Sequence, residues 1–170
     1  MPEPSSEFRQ QALTHLDTLY NFALRLTKRP PDADDLVQET YLRAFRFAHR
    51  FEPGTHMRAW LFQILRNTFL TFYRRETHQP MLLDRDLEDG LEAALGGEVP
   101  DPGVVTTLDL ERALAELPED FRSVLLLADL EGLALLEIGQ IMDIPIGTVK
   151  SRLFRARRMV RRRLADYRTG

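Results

Sequence analysis

Lys150, Ser151, Phe154, Arg155, Arg158, Arg161 and Arg162 recur on one side of a predicted C-terminal helix. Val149, Leu153, Ala156, Val160 and Leu164 recur on the other. At about 100° of rotation per residue the two sets form a polar, almost wholly positive face and an apolar stripe. Guanidinium and ammonium groups neutralise phosphates, and a few side chains near the start of such a helix can reach base edges in a DNA groove. Just upstream, Ile138, Ile141 and Met142 give a shorter helix its buried stripe, and Gly139 is small enough to permit a close helix crossing. Thr148 is positioned to cap the second helix. The pair reads as a helix-turn-helix. The competing readings are a solvated amphipathic helix and a basic helix lying on a membrane surface. A solvated face normally mixes signs, and the helix upstream argues against the membrane.

A second group lies between Met57 and Arg75. Trp60, Phe69 and Phe72 are expected in the core, whereas Gln63, Arg66, Asn67, Tyr73 and Arg74 are expected to face outward. Amides, cations and an aromatic together suit capture of bases from an opened strand. A third group, Asp35, Glu39, Arg43, Arg46 and Arg50 beside Gln38 and Leu42, shares one predicted helix face. It is either a protein-docking surface or a row of internal pairs such as Glu39–Arg43, worth only about 0.2–0.5 kcal/mol each.

Other chemistry is not signalled. His15, His49, His56 and His78 show no metal-ligand spacing, and there is neither a phosphate-cradling glycine loop nor a G-x-S-x-G nucleophile. The chain has no cysteine, so disulfides and thiolate-ligated zinc are excluded. We expect no enzymatic activity, no metal and no cofactor.

These groups need helices to hold them. Apolar spacing of period 3.6 dominates the 170 residues, with no alternating strand, and 44% hydrophobic against 29% charged residues is ordinary globular composition. One helix is predicted through Leu13, Leu16, Leu19, Tyr20, Ala23 and Leu24, stopped by Pro30 and Pro31. Asp32 would cap a second, running to about Arg50. A third would span about Thr55 to Arg75 after the Pro53-Gly54 break. From His78 to Thr106 prolines, glycines and acids predict a flexible linker, with a helical turn around Leu87–Leu95. Helices resume near Thr107 and break at Leu117-Pro118 and Gly132. The fold class is therefore all-α: a domain over 1–77, an acidic linker over 78–106 and a helix-turn-helix domain over 107–170. The net charge of −3 conceals a basic tail, where Lys150 and eight arginines face a single acid, Asp166, after Pro145. No apolar run is long enough to cross a bilayer and no signal core opens the chain, so a cytoplasmic location is expected.

The stretch Ile144–Arg158 resembles region 4 of bacterial RNA polymerase sigma factors, in particular the extracytoplasmic-function group of the sigma-70 family. Leu117-Pro-Glu-Asp-Phe-Arg-Ser-Val-Leu125 is similar to the opening of that region, and Asp34-Asp-Leu-Val-Gln-Glu-Thr-Tyr-Leu-Arg-Ala-Phe45 resembles region 2. The resemblance covers about residues 15–76 and 110–165. It implies that Lys150, Ser151, Phe154, Arg155 and Arg158 meet the minus-thirty-five promoter element, with Arg152 and Arg157 structural or phosphate-directed. It further implies that Asp34, Asp35, Gln38, Glu39, Leu42 and Arg43 bind core RNA polymerase. Gln63, Arg66, Asn67, Tyr73 and Arg74 would meet the minus-ten element, together with Thr55, His56 and Arg58 around a loop that holds a flipped base. The implied partners are the beta-prime clamp and beta flap of the polymerase, promoter DNA and an anti-sigma factor, with a monomer when free. The acidic linker would run through a polymerase channel otherwise occupied by nucleic acid, unless its charge serves only solubility. Two positions depart from the family pattern. Leu133-Ala134-Leu135 replaces a Ser or Thr cap, and Asp143 replaces a turn glycine, although Asp tolerates a left-handed backbone better than most residues. The alternatives are a helix-turn-helix regulator that is not a sigma subunit, and a sigma-like polymerase modulator that has lost promoter melting.

Overall fold

The computed structural model describes residues 2–72, 101 and 103–169. Every regular element among the described residues is helical. The chain forms two compact units, Met1–His78 with Leu133–Pro145, and Gln79–Gly132 with Ile146–Gly170.

In the first unit, α1 (Ser6–Leu13) begins where the Ser5 hydroxyl accepts a hydrogen bond from the Phe8 amide at 3.1 Å. α2 (Leu16–Thr27) follows, so the single helix predicted here is two. The Thr14 hydroxyl donates to the Gln11 carbonyl at 2.6 Å and the His15 amide to Ala12, closing a turn between them. Leu13 and Leu16, which the periodicity assigned to a buried stripe, flank that turn and are exposed. Pro30 and Pro31 do not stop α2. Lys28 does, adopting a left-handed φ of 64° while its amide donates to Leu24 at 2.8 Å. The prolines instead open α3 (Pro30–Arg46), in a first turn where a missing N–H costs nothing. Arg29 is consequently the N-cap and Asp32 sits inside the helix. α3 gives way to a 3-10 turn, Ala48–Arg50, so Arg50 leaves the α3 face and its guanidinium covers the Phe47 ring at 4.7 Å. Gly54, at φ 89°, permits the bend before α4 (Met57–Phe72).

Helices α2, α3 and α4 pack on one another. Phe22 of α2 and Phe62 of α4 are almost wholly buried and meet edge to face at 5.0 Å and 84°. Buried hydroxyls are satisfied locally: Thr40 donates to Leu36, and Thr68 to Ile64, each at 2.7 Å. The Tyr41 hydroxyl donates to the Ala12 carbonyl at 2.8 Å, tying α3 to α1. Burial pushes that hydroxyl up to about 12, so it stays protonated. A later segment completes the unit. Leu133–Pro145, predicted within the second domain, groups here, with α5 (Leu135–Met142) against α4.

In the second unit, α6 (Thr107–Glu116) has a capping box. The Thr106 hydroxyl accepts from the Asp109 amide at 3.1 Å and the Asp109 carboxylate from the Thr106 amide at 3.4 Å. α7 (Glu119–Leu125) starts after Pro118, with Glu119 and Asp120 in its first turn, and runs into a π-helical turn, Leu126–Leu130. α8 (Ile146–Thr169) packs on α6 and α7. Buried Arg122 donates to the carbonyls of Leu114, Ala115 and Leu117 at 3.0, 3.3 and 2.7 Å, so its guanidinium finishes the C-terminus of α6.

Candidate nucleic-acid interface

α8 divides as its sequence predicts. Val149, Leu153, Ala156, Val160 and Leu164 are all buried. Lys150 and Arg161 are exposed, and Phe154, at 63%, is an aromatic that no core claims. Arg155 and Arg158 are half-buried, with the Arg158 guanidinium 5.7 Å from the Phe154 ring centre. Ser151 is half-buried and its hydroxyl donates to the Thr148 carbonyl at 3.1 Å. Thr148 is not a cap, because α8 has already begun at Ile146. Arg152 is buried, which removes it from any DNA-facing surface. Arg157 is spoken for by Asp129, through bonds of 3.0 and 2.6 Å.

The turn preceding α8 has the conformation expected of its odd residue. Asp143 is left-handed, φ 55° and ψ 50°, and the Ile144 amide donates to the Gly139 carbonyl at 3.0 Å. The other departure has a partial remedy. Ala134 offers no side-chain cap, but Glu137 reaches back to accept the Ala134 amide at 3.4 Å.

The second group of predicted site residues surrounds the loop from Phe51 to His56. The Thr55 hydroxyl donates to the Glu52 carbonyl at 2.6 Å and folds the loop on itself. His56 is exposed and its Nδ1 lies 2.7 Å from Glu137 Oε2. Arg58 is half-buried beside His15, whose ionisation burial and then the Arg58 charge hold below the usual 6.5. On α4, Asn67 is exposed and Gln63 half-buried. Arg66 requires a correction. It was expected to face outward, yet it is only 3% exposed. Its helical position falls between the buried Leu65 and Phe69, so its aliphatic stem is drawn into the packed side. Tyr73, Arg74 and most of the acidic linker lie outside the described residues.

The third group lies on α3. Asp34, Asp35 and Gln38 are exposed, and Leu42 presents an apolar side chain at 61% exposure. Glu39 and Arg43 pair with each other at 2.9 Å. Arg43 also lies over the exposed Phe72 ring at 5.1 Å, a placement the sequence did not anticipate for an aromatic expected in the core. The surface is therefore acidic at one end, apolar at Leu42 and Phe72, and internally neutralised between.

Three structural residues escaped the sequence reading. Arg122 and Asp129 carry no pattern that separates them from solvated charges. Phe8 was also missed. Its ring meets Phe51 at 5.7 Å and Trp60 at 6.0 Å.

Known proteins share both halves. The Sigma-70 region 2 family matches residues 12–79 and the Sigma-70, region 4 family matches residues 107–160. An ECF RNA polymerase sigma factor, SigE of Mycolicibacterium smegmatis, is 37% identical over 158 residues, covering 90% of this chain but 60% of that protein. EcfG of Rhodopseudomonas palustris is 36% identical over 156 residues, covering 90% of this chain and 82% of that protein. SigW of Bacillus subtilis is 31% identical over 160 residues, with coverages of 88% and 84%. Among solved structures, the sigma factor RpoE of Bartonella quintana in complex with the anti-sigma factor NepR superposes with a TM-score of 0.72. It is 30% identical, covering 94% of this chain and 98% of that one. CnrH in complex with the cytosolic domain of CnrY gives a TM-score of 0.61 at 25% identity, with coverages of 90% and 84%.

Proposed function

Given that this chain belongs to the extracytoplasmic-function group of sigma-70 family sigma factors, which direct promoter-specific transcription, we propose a division of that work among its surfaces. The observation that carries the proposal is the α8 face, where Lys150 and Phe154 project from a helix whose opposite stripe is wholly buried. A helix anchored that way can present one side to a major groove without losing its own packing. Lys150, Ser151, Phe154 and Arg155 contact the minus-thirty-five element, and Arg158 supports them against phosphate. Thr55, His56 and Arg58 with Gln63, Asn67, Tyr73 and Arg74 engage the minus-ten strand. Arg66 acts from within the packing of α4.

The exposed α3 face of Asp34, Asp35, Gln38 and Leu42, with the Glu39–Arg43 pair, docks on the beta-prime clamp. Residues 107–170 supply the contact with the beta flap. The working domains are 1–77 and 107–170, joined by the acidic stretch 78–106. The chain performs no catalysis itself, and nucleotide addition belongs to the polymerase it recruits. Its place of work is the cytoplasm, where the polymerase is. No helix among the described residues is long and apolar enough to cross a membrane. The complex of the related sigma factor RpoE with the anti-sigma factor NepR supports an anti-sigma partner for this chain as well. The free chain is a monomer.

Binding of the full chain with core polymerase to a minus-thirty-five duplex, measured across a salt series, tests the division. Lys150→Ala is expected to weaken binding and to lower the salt slope by about 1 if the ammonium meets a phosphate. An unchanged slope and affinity would remove Lys150 from the interface.

A further inference from the structure

The Phe51–His56 loop, proposed to meet the minus-ten strand, is held at both ends by one aromatic cluster. Phe51 enters the loop, and its ring lies 5.3 Å from that of Trp60. Trp60 stands one turn into α4, and its amide donates to the carbonyl of His56, the last loop residue, at 3.2 Å. The Phe8 ring closes the cluster with an edge-to-face contact to each, at 64° to Phe51 and 76° to Trp60. Between these supports the loop has few internal restraints. Thr55 bonds to Glu52, Gly54 takes a left-handed turn, and Glu52 to His56 are all exposed.

Phe8 lies outside the segment that the region 2 family matches, which begins at residue 12. Its helix is nevertheless fixed on two sides. Ser5 caps it through the Phe8 amide, and the Ala12 carbonyl receives the Tyr41 hydroxyl. The backbone that carries the ring is thus fixed by contacts independent of the aromatic cluster.

We infer that Phe8 is a positioning residue for minus-ten recognition, setting the Glu52–His56 loop through Phe51 and Trp60 so that it meets an unpaired base in one geometry. Edge-to-face aromatic pairs are directional, so removal of one ring loosens the orientation of the other two more than their burial. A base-capturing loop loses selectivity when its support slackens by a fraction of an ångström. The inference rests on the assignment of this loop to the minus-ten strand.

The test uses the full chain bound to core polymerase and fluorescent single-stranded minus-ten oligonucleotides, with each base varied in turn. Phe8→Leu keeps an apolar side chain but deletes the ring, Phe8→Tyr restores a ring, and Thr55→Ala with His56→Ala alters the loop directly. Phe8→Leu is expected to lower affinity for the preferred oligonucleotide roughly tenfold and flatten discrimination at one base position. Core affinity and minus-thirty-five duplex binding should stay at wild-type values, and Phe8→Tyr should restore discrimination. If the loop variant loses discrimination while Phe8→Leu retains it, the inference fails and the loop assignment stands. If neither variant changes it, the loop assignment fails and takes the inference with it. A parallel loss of core and minus-thirty-five binding in Phe8→Leu would reduce Phe8 to a stability residue and also overturn the inference.

Discussion

Arg157 holds Asp129 with two hydrogen bonds, Nε to Oδ2 at 3.0 Å and Nη2 to Oδ1 at 2.6 Å. One arginine of the basic helix is thereby assigned to the π-helical turn after α7 and not to DNA. Both side chains remain about half exposed, so screening keeps the pair modest despite its geometry. A double-mutant cycle with Arg157→Ala and Asp129→Ala, read by denaturant unfolding of the full chain, is expected to give a coupling of about 0.2–1 kcal/mol. Arg157→Ala should leave base preference at the minus-thirty-five element unchanged. A shifted preference would place Arg157 on DNA after all.

Arg155 is the contrasting case. It shares the side of α8 proposed to meet DNA with Lys150 and Phe154. Arg155→Ala is expected to relax minus-thirty-five selectivity by about 1–3 kcal/mol if the guanidinium meets a base edge. Competition binding against single-base variants of the element checks it, and uniform weakening across all variants would make Arg155 a phosphate contact only.

Arg66 tests burial against expectation. Because it is 3% exposed, Arg66→Ala should destabilise the first unit by about 1–3 kcal/mol, largely through lost packing of its stem. Arg66→Met should recover part of that loss. A substitution that leaves the unfolding transition in place but changes minus-ten selectivity would contradict the buried placement.

His15 gives the first unit an acid-sensitive contact. Its folded-state ionisation is held below the ordinary 6.5 by burial and then by Arg58, so the unfolded chain binds the proton more readily. The stability attached to neutral His15 is therefore fully present above pH 6.5 and is lost as pH falls through the depressed folded value. His15→Gln should flatten that part of the stability–pH profile. A profile identical to wild type would remove His15 from the acid response.

Much of this was legible in the chain. The α8 stripe follows directly from apolar spacing, and the sign segregation of its opposite face from composition. Asp143 could be assigned its left-handed turn because few other residues tolerate one. The failures share a cause: local pattern cannot say which neighbour arrives from elsewhere. Pro30-Pro31 reads equally as a stop and a start, and only the Lys28 turn decides. Arg66 looks solvated until Leu65 and Phe69 fix the buried side of α4. Phe72 looks like core, yet it is exposed beneath the Arg43 guanidinium. Phe8, Arg122 and Asp129 act through partners 43, 8 and 28 residues away, to Phe51, Leu114 and Arg157. No periodicity within a single helix encodes such pairings.

The most direct test of the central claim is transcription from linear and supercoiled promoter DNA by purified core polymerase with and without the chain. The full chain is expected to bind core and yield a discrete start site on at least one promoter of its own genome. Joint charge reversal at Asp35 and Glu39 is expected to weaken core binding and abolish the transcript while the protein remains folded. No core binding and no transcript on any such promoter, with the wild-type chain folded, would contradict it.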